Sequence, residues 1–237
     1  MLGTGSIDAM HAYLPPWSAL LFAVLTQFGA MWFAATILAV LYVRGHRQLA
    51  VTVAGLLVAG TGTWLAVKIA YPVPRPGRLL LDPEALPFML RTVYAVALVD
   101  MGHRFPSGHA VTSTILYGAL ALWLSRPRPI IRILVAGLLI GLVGATRIAL
   151  GVHVLIDVIG GIAIATAIMA SYFLGNRILS SPDERFAIVI ALFGATGCAI
   201  VHLAVGILDP LVFVLLGIAI GLWYVVERHS RTGASIW

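Results

Sequence analysis

Seven stretches of the chain, near 17–43, 49–71, 108–125, 130–150, 153–174, 186–206 and 209–226, are apolar over the roughly 20 residues that a helix needs to cross a bilayer. This restricts the fold severely, because a backbone in hydrocarbon must satisfy every N–H and C=O internally, and a helix does so within one segment. Little of the chain is suited to water. Fifteen basic and nine acidic residues among 237, with a mean hydropathy of +1.03, are too few to clothe a soluble domain of this size. The pattern predicts an all-α polytopic membrane helical bundle, with residues 1–237 forming a single integral-membrane domain.

The segments between the runs are short and carry breakers or charge: Arg44-Gly45-His46-Arg47, Ser125-Arg126-Pro127-Arg128-Pro129, the stretch from Gly175 to Arg185, and Asp209-Pro210. Cytoplasmic loops are enriched in Lys and Arg. Placing the 44–48, 125–132 and 175–185 loops and the C-terminal tail inside puts nine of the fifteen basic residues there: Arg44, Arg47, Arg126, Arg128, Arg132, Arg177, Arg185, Arg228 and Arg231. The other six, Lys68, Arg75, Arg78, Arg91, Arg104 and Arg147, fall on or near the opposite face, where several are expected to bind an anion. A net charge of +6 dispersed over short loops, without a basic stripe, points to anionic lipid headgroups as partners and away from nucleic acid. No Lys or Arg precedes Arg44, so a cleavable signal with a basic n-region is not expected and the first run should be retained. The single cysteine, Cys198, allows neither an intrachain disulfide nor a cysteine zinc site.

One connection, residues 72–105, is longer than a helix hairpin needs and is expected to cover a site. Within it Asp82-Pro83-Glu84 looks like a helix start, followed by an apolar stretch over 85–99 that contains Arg91. That stretch is short for a span. It is expected to lie in the outer interface, which keeps the segments on either side of it at the same membrane face.

Three short segments carry chemistry. The first, Lys68 through Arg75-Pro76, holds the only lysine of the chain and an arginine stiffened by Pro72, Pro74 and Pro76. The second, Phe105-Pro106-Ser107-Gly108-His109, leads into the third apolar run. Ser107 is a natural N-cap, Gly108 permits close backbone approach, and the free N–H groups of a helix N-terminus attract anions beside an ionisable His109. The third, Thr146-Arg147 to His153 and Asp157, crosses the turn between the fourth and fifth runs. His153 and Asp157 are four apart, so on a helix they share a face; the carboxylate accepts the imidazole N–H, and the other ring nitrogen becomes a nucleophile or base. A His–Asp pair inside a membrane segment is costly when it serves structure alone.

In the expected topology all three segments reach the same face. Three cations, a helix N-terminus and two histidines, one with a carboxylate, describe a phosphoryl-transfer site that needs no metal or other cofactor. Lys68-x6-Arg75-Pro76, Pro106-Ser107-Gly108-His109 and Arg147-x5-His153-x3-Asp157 also resemble the three-part signature of the type 2 phosphatidic acid phosphatase superfamily, whose fold and site are shared with glucose-6-phosphatase and vanadium haloperoxidases. The motifs span 68–157. Thr146 stands where that family usually has serine. The resemblance implies a six-helix core from about 17 to 206, with the 209–226 run as an additional C-terminal helix.

It further implies that His153 attacks phosphorus and becomes a phosphohistidine, that Asp157 orients it, and that His109 protonates the leaving oxygen and then activates water. Lys68, Arg75 and Arg147, with Ser107 and the Gly108 N–H, would bind the phosphate. The expected activity is that of a multi-pass lipid phosphatase in the plasma membrane with its site on the extracytoplasmic face. Phosphatidic acid, phosphatidylglycerol phosphate and isoprenyl mono- or diphosphates are candidate substrates. Transfer to an alcohol acceptor and non-enzymatic lipid binding or transport are the alternatives. His103 and Arg104 are read as solvated loop residues, as are His11, His46 and His229; His202 is read as bonded to a neighbouring helix. Gly137-x3-Gly141 and Gly217-x3-Gly221 permit close helix contacts without establishing an oligomer.

Overall fold

The computed structural model describes residues 4–98, 102–179, 184–207 and 209–232. Among these residues the fold is all-helical, with no strand. A short α1 (Thr4–His11) precedes α2 (Ser18–Leu25) and α3 (Met31–Val43), then α4 (Arg47–Ala70), α5 (Phe88–Leu98), α6 (Gly108–Trp123), α7 (Pro129–Ala149), α8 (Leu155–Leu179), α9 (Glu184–Ala204) and α10 (Pro210–Thr232). Helices α4, α7, α8, α9 and α10 are each long and apolar enough to cross a membrane. Isoleucines, leucines and valines on the outward faces of α7 and α10 lie exposed, among them Ile133, Leu134, Leu138, Val214 and Ile220, as lipid contact requires. The protein is a multi-pass membrane bundle.

Helix α4 forms the axis of the bundle, and its small residues let neighbours approach. A Cβ on Gly55 would meet the Ala187 backbone at 3.0 Å, and one on Gly62 would strike the Gly194 backbone. Both contacts pair residues separated by the same seven positions in α4 and α9, so these two helices run in the same direction. Three spans, α6, α7 and α8, lie between them. A crossing by α5 would make α4 and α9 antiparallel, so the parallel register itself shows that the chain leaves α4 and enters α6 at one end of the bundle.

Three expectations of local structure are corrected. The first run is no single straight helix: α2 and α3 are joined by a 3-10 turn over Thr26–Gly29 and bend by 46°. Ala30 is extended at ψ 147°, and Gly29 is wedged where a Cβ would meet Val143 at 2.5 Å and the His109 backbone at 3.1 Å. The break therefore comes from tertiary packing; no proline or charge marks it. Asp82-Pro83-Glu84 starts only a 3-10 turn, with the Asp82 carboxylate accepting from the Glu84 N–H at 2.9 Å, because Pro87 holds Leu86 extended and α5 begins afresh at Phe88. With 11 residues α5 is too short to span, in keeping with an interfacial helix. The Gly137, Gly141, Gly217 and Gly221 positions face open space within the chain. The expected inner connection 175–185 is helical at its start, since α8 continues to Leu179.

Helix α6 has only 16 residues, yet most of them are buried at the centre of the bundle. Enclosed by other helices, it does not itself have to match the hydrocarbon thickness. Asp209 and Pro210 start α10 as the sequence suggests, with the Asp209 carboxylate accepting from the Leu211 N–H at 2.9 Å.

Candidate active site

His153 and Asp157 meet, though not by helical spacing. His153 lies in the turn before α8, and Asp157 is in the first turn of that helix. Asp157 Oδ2 accepts from the Val154 N–H at 2.8 Å, the return half of a capping box across the start of α8. This folds the turn back so that His153 Nδ1 faces Oδ2 at 3.5 Å, wider than a good hydrogen bond. Both side chains are fully buried. The geometry leaves Nε2 as the ring nitrogen turned away from the carboxylate.

The buried carboxylate has a stronger partner in Arg104, a residue expected to be solvated. Arg104 Nη1 reaches both oxygens of Asp157, at 3.1 and 3.2 Å. A fully buried carboxylate requires such compensation, because desolvating a lone charge costs several kcal/mol. The Arg104 N–H also donates to the Val73 carbonyl at 3.0 Å, fastening the proline-rich arm beside the pair. An arginine three residues before an N-cap serine is the only local hint of this role.

The three expected phosphate ligands lie at the same end of the bundle. Lys68 and Arg147 are among the largest fully buried side chains of the protein. Lys68 Nζ donates to the His103 carbonyl at 2.7 Å and stands 5.0 Å from the centre of the Trp64 ring. Arg147 Nη1 donates to the Ala97 carbonyl at 2.6 Å, and Arg75 Nη1 donates to the Leu98 carbonyl at 2.8 Å. The C-terminal end of α5 thus holds two of the cations through its last carbonyls, where the helix dipole is negative. Each guanidinium carries five N–H groups and can bond an anion as well as a carbonyl.

Ser107 caps α6 as expected, its hydroxyl accepting from the Ala110 N–H at 3.4 Å, while its own N–H donates to the Asp157 carbonyl at 3.0 Å. Gly108 packs on the Trp64 ring, and His109 stands half-buried in the first turn of α6, against Gly29. The links are continuous: Ser107 bonds Asp157, Asp157 faces His153, and the His153 N–H donates to the Arg147 carbonyl at 3.3 Å. All eight expected residues therefore lie at one end of the bundle, where α4 ends, α6 begins and α7 turns into α8.

Two other histidines differ from expectation. His11 Nε2 bonds the Ala149 carbonyl at 2.9 Å, so α1 docks on the end of α7 two residues from Gly151. His202 Nδ1 bonds the Cys198 carbonyl of its own helix at 2.8 Å, with Asp209 3.9 Å from its other nitrogen. Among the described residues no group of three or more His, Cys, Asp or Glu is arranged to hold a metal ion.

An apolar cavity of about 510 Å³ opens beside the site, lined by Val24, Phe28, Trp32 and Phe33 at the α2–α3 break and by Val93 and Val96 of α5. Its wall residue Phe28 adjoins Gly29, the residue packed on His109.

Comparison with known proteins gives two matches. The PAP2 superfamily model matches residues 48–181, more than half of the chain and all three motif segments. Phosphatidylglycerophosphatase B of Bacillus subtilis (strain 168) is 31% identical over 81 residues, 32% of this chain and 40% of that protein. The match therefore spans less than half the length of the curated relative. No solved structure matches.

Proposed function

The chain belongs to the PAP2 superfamily, and we propose on that premise that it is a membrane lipid phosphatase acting through a phosphohistidine. The observation that carries this reading is the linked cluster of a buried His153–Asp157 pair with Lys68, Arg75 and Arg147 at the N-terminus of α6. Buried cations fixed by backbone carbonyls are preorganised for an anion whose charge grows in the transition state.

In the proposed reaction, His153 Nε2 attacks phosphorus, the N–P bond forms and the P–O bond to the lipid breaks. His109 gives its proton to the departing oxygen. It then takes a proton from water, whose oxygen attacks phosphorus; the N–P bond breaks and orthophosphate leaves. Lys68, Arg75 and Arg147 hold the equatorial oxygens, with Ser107 and the Gly108 N–H beneath. Asp157 orients the His153 ring, and Arg104 holds Asp157.

The apolar cavity supports a substrate whose tail stays in the bilayer, since a lipid can lie along α2, α3 and α5 while its phosphate reaches His109. Phosphatidic acid, phosphatidylglycerol phosphate and isoprenyl mono- or diphosphates share that chemistry, and the name of the bacterial relative favours testing phosphatidylglycerol phosphate first. The distribution of arginines supports a site on the extracytoplasmic face.

The test is phosphate release from a panel of these lipids by purified protein in detergent with EDTA, beside His153→Ala. Release by the wild type alone supports the reading. No release from any lipid by folded protein, with label appearing instead on an added alcohol, would replace hydrolysis by phosphotransfer. No turnover with either acceptor would sink the enzymatic reading.

A further inference from the structure

At the end of the bundle away from the site, a second apolar slot of about 240 Å³ lies between α6 and α7. Tyr117, Leu120, Leu124 and Leu139 line it together with Arg126 and Arg132. Tyr117 and Leu124 are seven residues apart on or near α6, as Arg132 and Leu139 are on α7, so the slot runs roughly 10 Å along the helices from its charged end into apolar depth. A more open cavity of about 800 Å³ adjoins it, sharing Arg126 and Pro127 and adding Arg128.

Arginines at this end are expected of any protein that follows the positive-inside rule, and Arg44, Arg47, Arg126 and Arg128 are exposed as that rule needs. Arg132 is different. Its Nε and Nη1 are buried, and neither has a hydrogen-bond partner among the described residues. Two buried cationic donors beside an apolar slot call for an acceptor that brings its own negative charge and an apolar body. No acidic residue lines either cavity.

We propose that this slot is a binding site for an anionic phospholipid of the leaflet opposite the active site, the inner leaflet in the proposed orientation. The headgroup phosphate pairs with Arg126 and Arg132, and one acyl chain fills the slot past Leu120 toward Tyr117. Basic pockets between helix ends on the cytoplasmic side suit the anionic lipids that concentrate there. The site is separate from the phosphate cluster, and the proposal stands whether or not that cluster hydrolyses lipids.

The experiment titrates purified protein in detergent with phosphatidylglycerol and phosphatidylcholine of identical chains and counts bound lipid by native mass spectrometry. The wild type is expected to prefer phosphatidylglycerol by about thirtyfold, from two arginines near the headgroup. Arg126→Gln with Arg132→Gln, which preserves side-chain bulk, should abolish the preference. Leu120→Trp should weaken it by filling the slot with all charges in place. Arg44→Ala with Arg47→Ala should preserve it, and excess inorganic phosphate should not displace the lipid. Preference retained in the glutamine variant, lost equally in the Arg44 and Arg47 variant, or lost instead on Arg75→Gln would overturn the proposal. Displacement by inorganic phosphate would do so as well, because it would mark a free-anion site.

Discussion

The two ends of the bundle use positive charge in opposite ways. At one end Lys68 and Arg147 are fully buried, each fixed to a backbone carbonyl, and Arg104 is fixed to a buried carboxylate. At the other, Arg44, Arg47, Arg126 and Arg128 are exposed. A cation that remains in water costs little and serves orientation or lipid contact. A cation drawn into the bundle is costly, and its retention marks a place where something beyond folding is served. Substitutions at the first end should therefore remove chemistry, and substitutions at the second should leave it.

The comparison is put most strongly at His153. His153→Ala is expected to lower phosphate release by at least about a thousandfold, because in the proposed reaction His153 forms the covalent intermediate. Labelled phosphate should also fail to accumulate on the protein. Activity within tenfold of wild type would remove His153 from the reaction and with it the contrast between the two ends. Arg147→Met keeps most of the buried volume and removes the charge; it should cost about a hundredfold in kcat/KM, the scale of one lost transition-state donor.

The helical architecture and the convergence of eight residues were readable because each rests on a local pattern: apolar runs of spanning length, a serine before a helix, histidine and aspartate four apart. What escaped reading depends on contacts between distant segments. Arg104 and Asp157 are 53 positions apart. The break at Gly29 follows from its packing on His109 and Val143, and His11 is captured by Ala149 of α7. Even in the His153–Asp157 pair, a capping turn and not the helix face that the spacing predicts brings the two together. The capping role is visible in retrospect, as Asp157 occupies the position where an acidic side chain can close back on the N-cap.

Arg104 sharpens the boundary between the ends, because its side chain is 23% exposed yet holds a carboxylate that is fully buried. As a proposed positioning residue it would act through Asp157. Arg104→Ala is thus expected to lower kcat by about tenfold with little change in KM, the loss of one charge-assisted contact. Arg104→Lys should recover part of that loss. A rise in KM with kcat unchanged would instead mean that Arg104 binds substrate directly.

The smallest effect is expected at the opposite end. Arg44→Ala together with Arg47→Ala removes two exposed cations, one of them 5.5 Å from the Tyr42 ring centre, and the change in stability should stay within about 0.5 kcal/mol for each site. Phosphate release should stay within twofold of wild type. The same pair of ends can be assigned to membrane sides with single cysteines, since Cys198 is fully buried and gives little background. Glu84→Cys, near the site, should react in intact cells with an impermeant maleimide, whereas Ser125→Cys should react only after permeabilisation. The reverse pattern would put the buried cations on the cytoplasmic side. Arg44, Arg47, Arg126 and Arg128 would then lie outside, against the positive-inside rule, and their gathering at one end would need a cause other than topology.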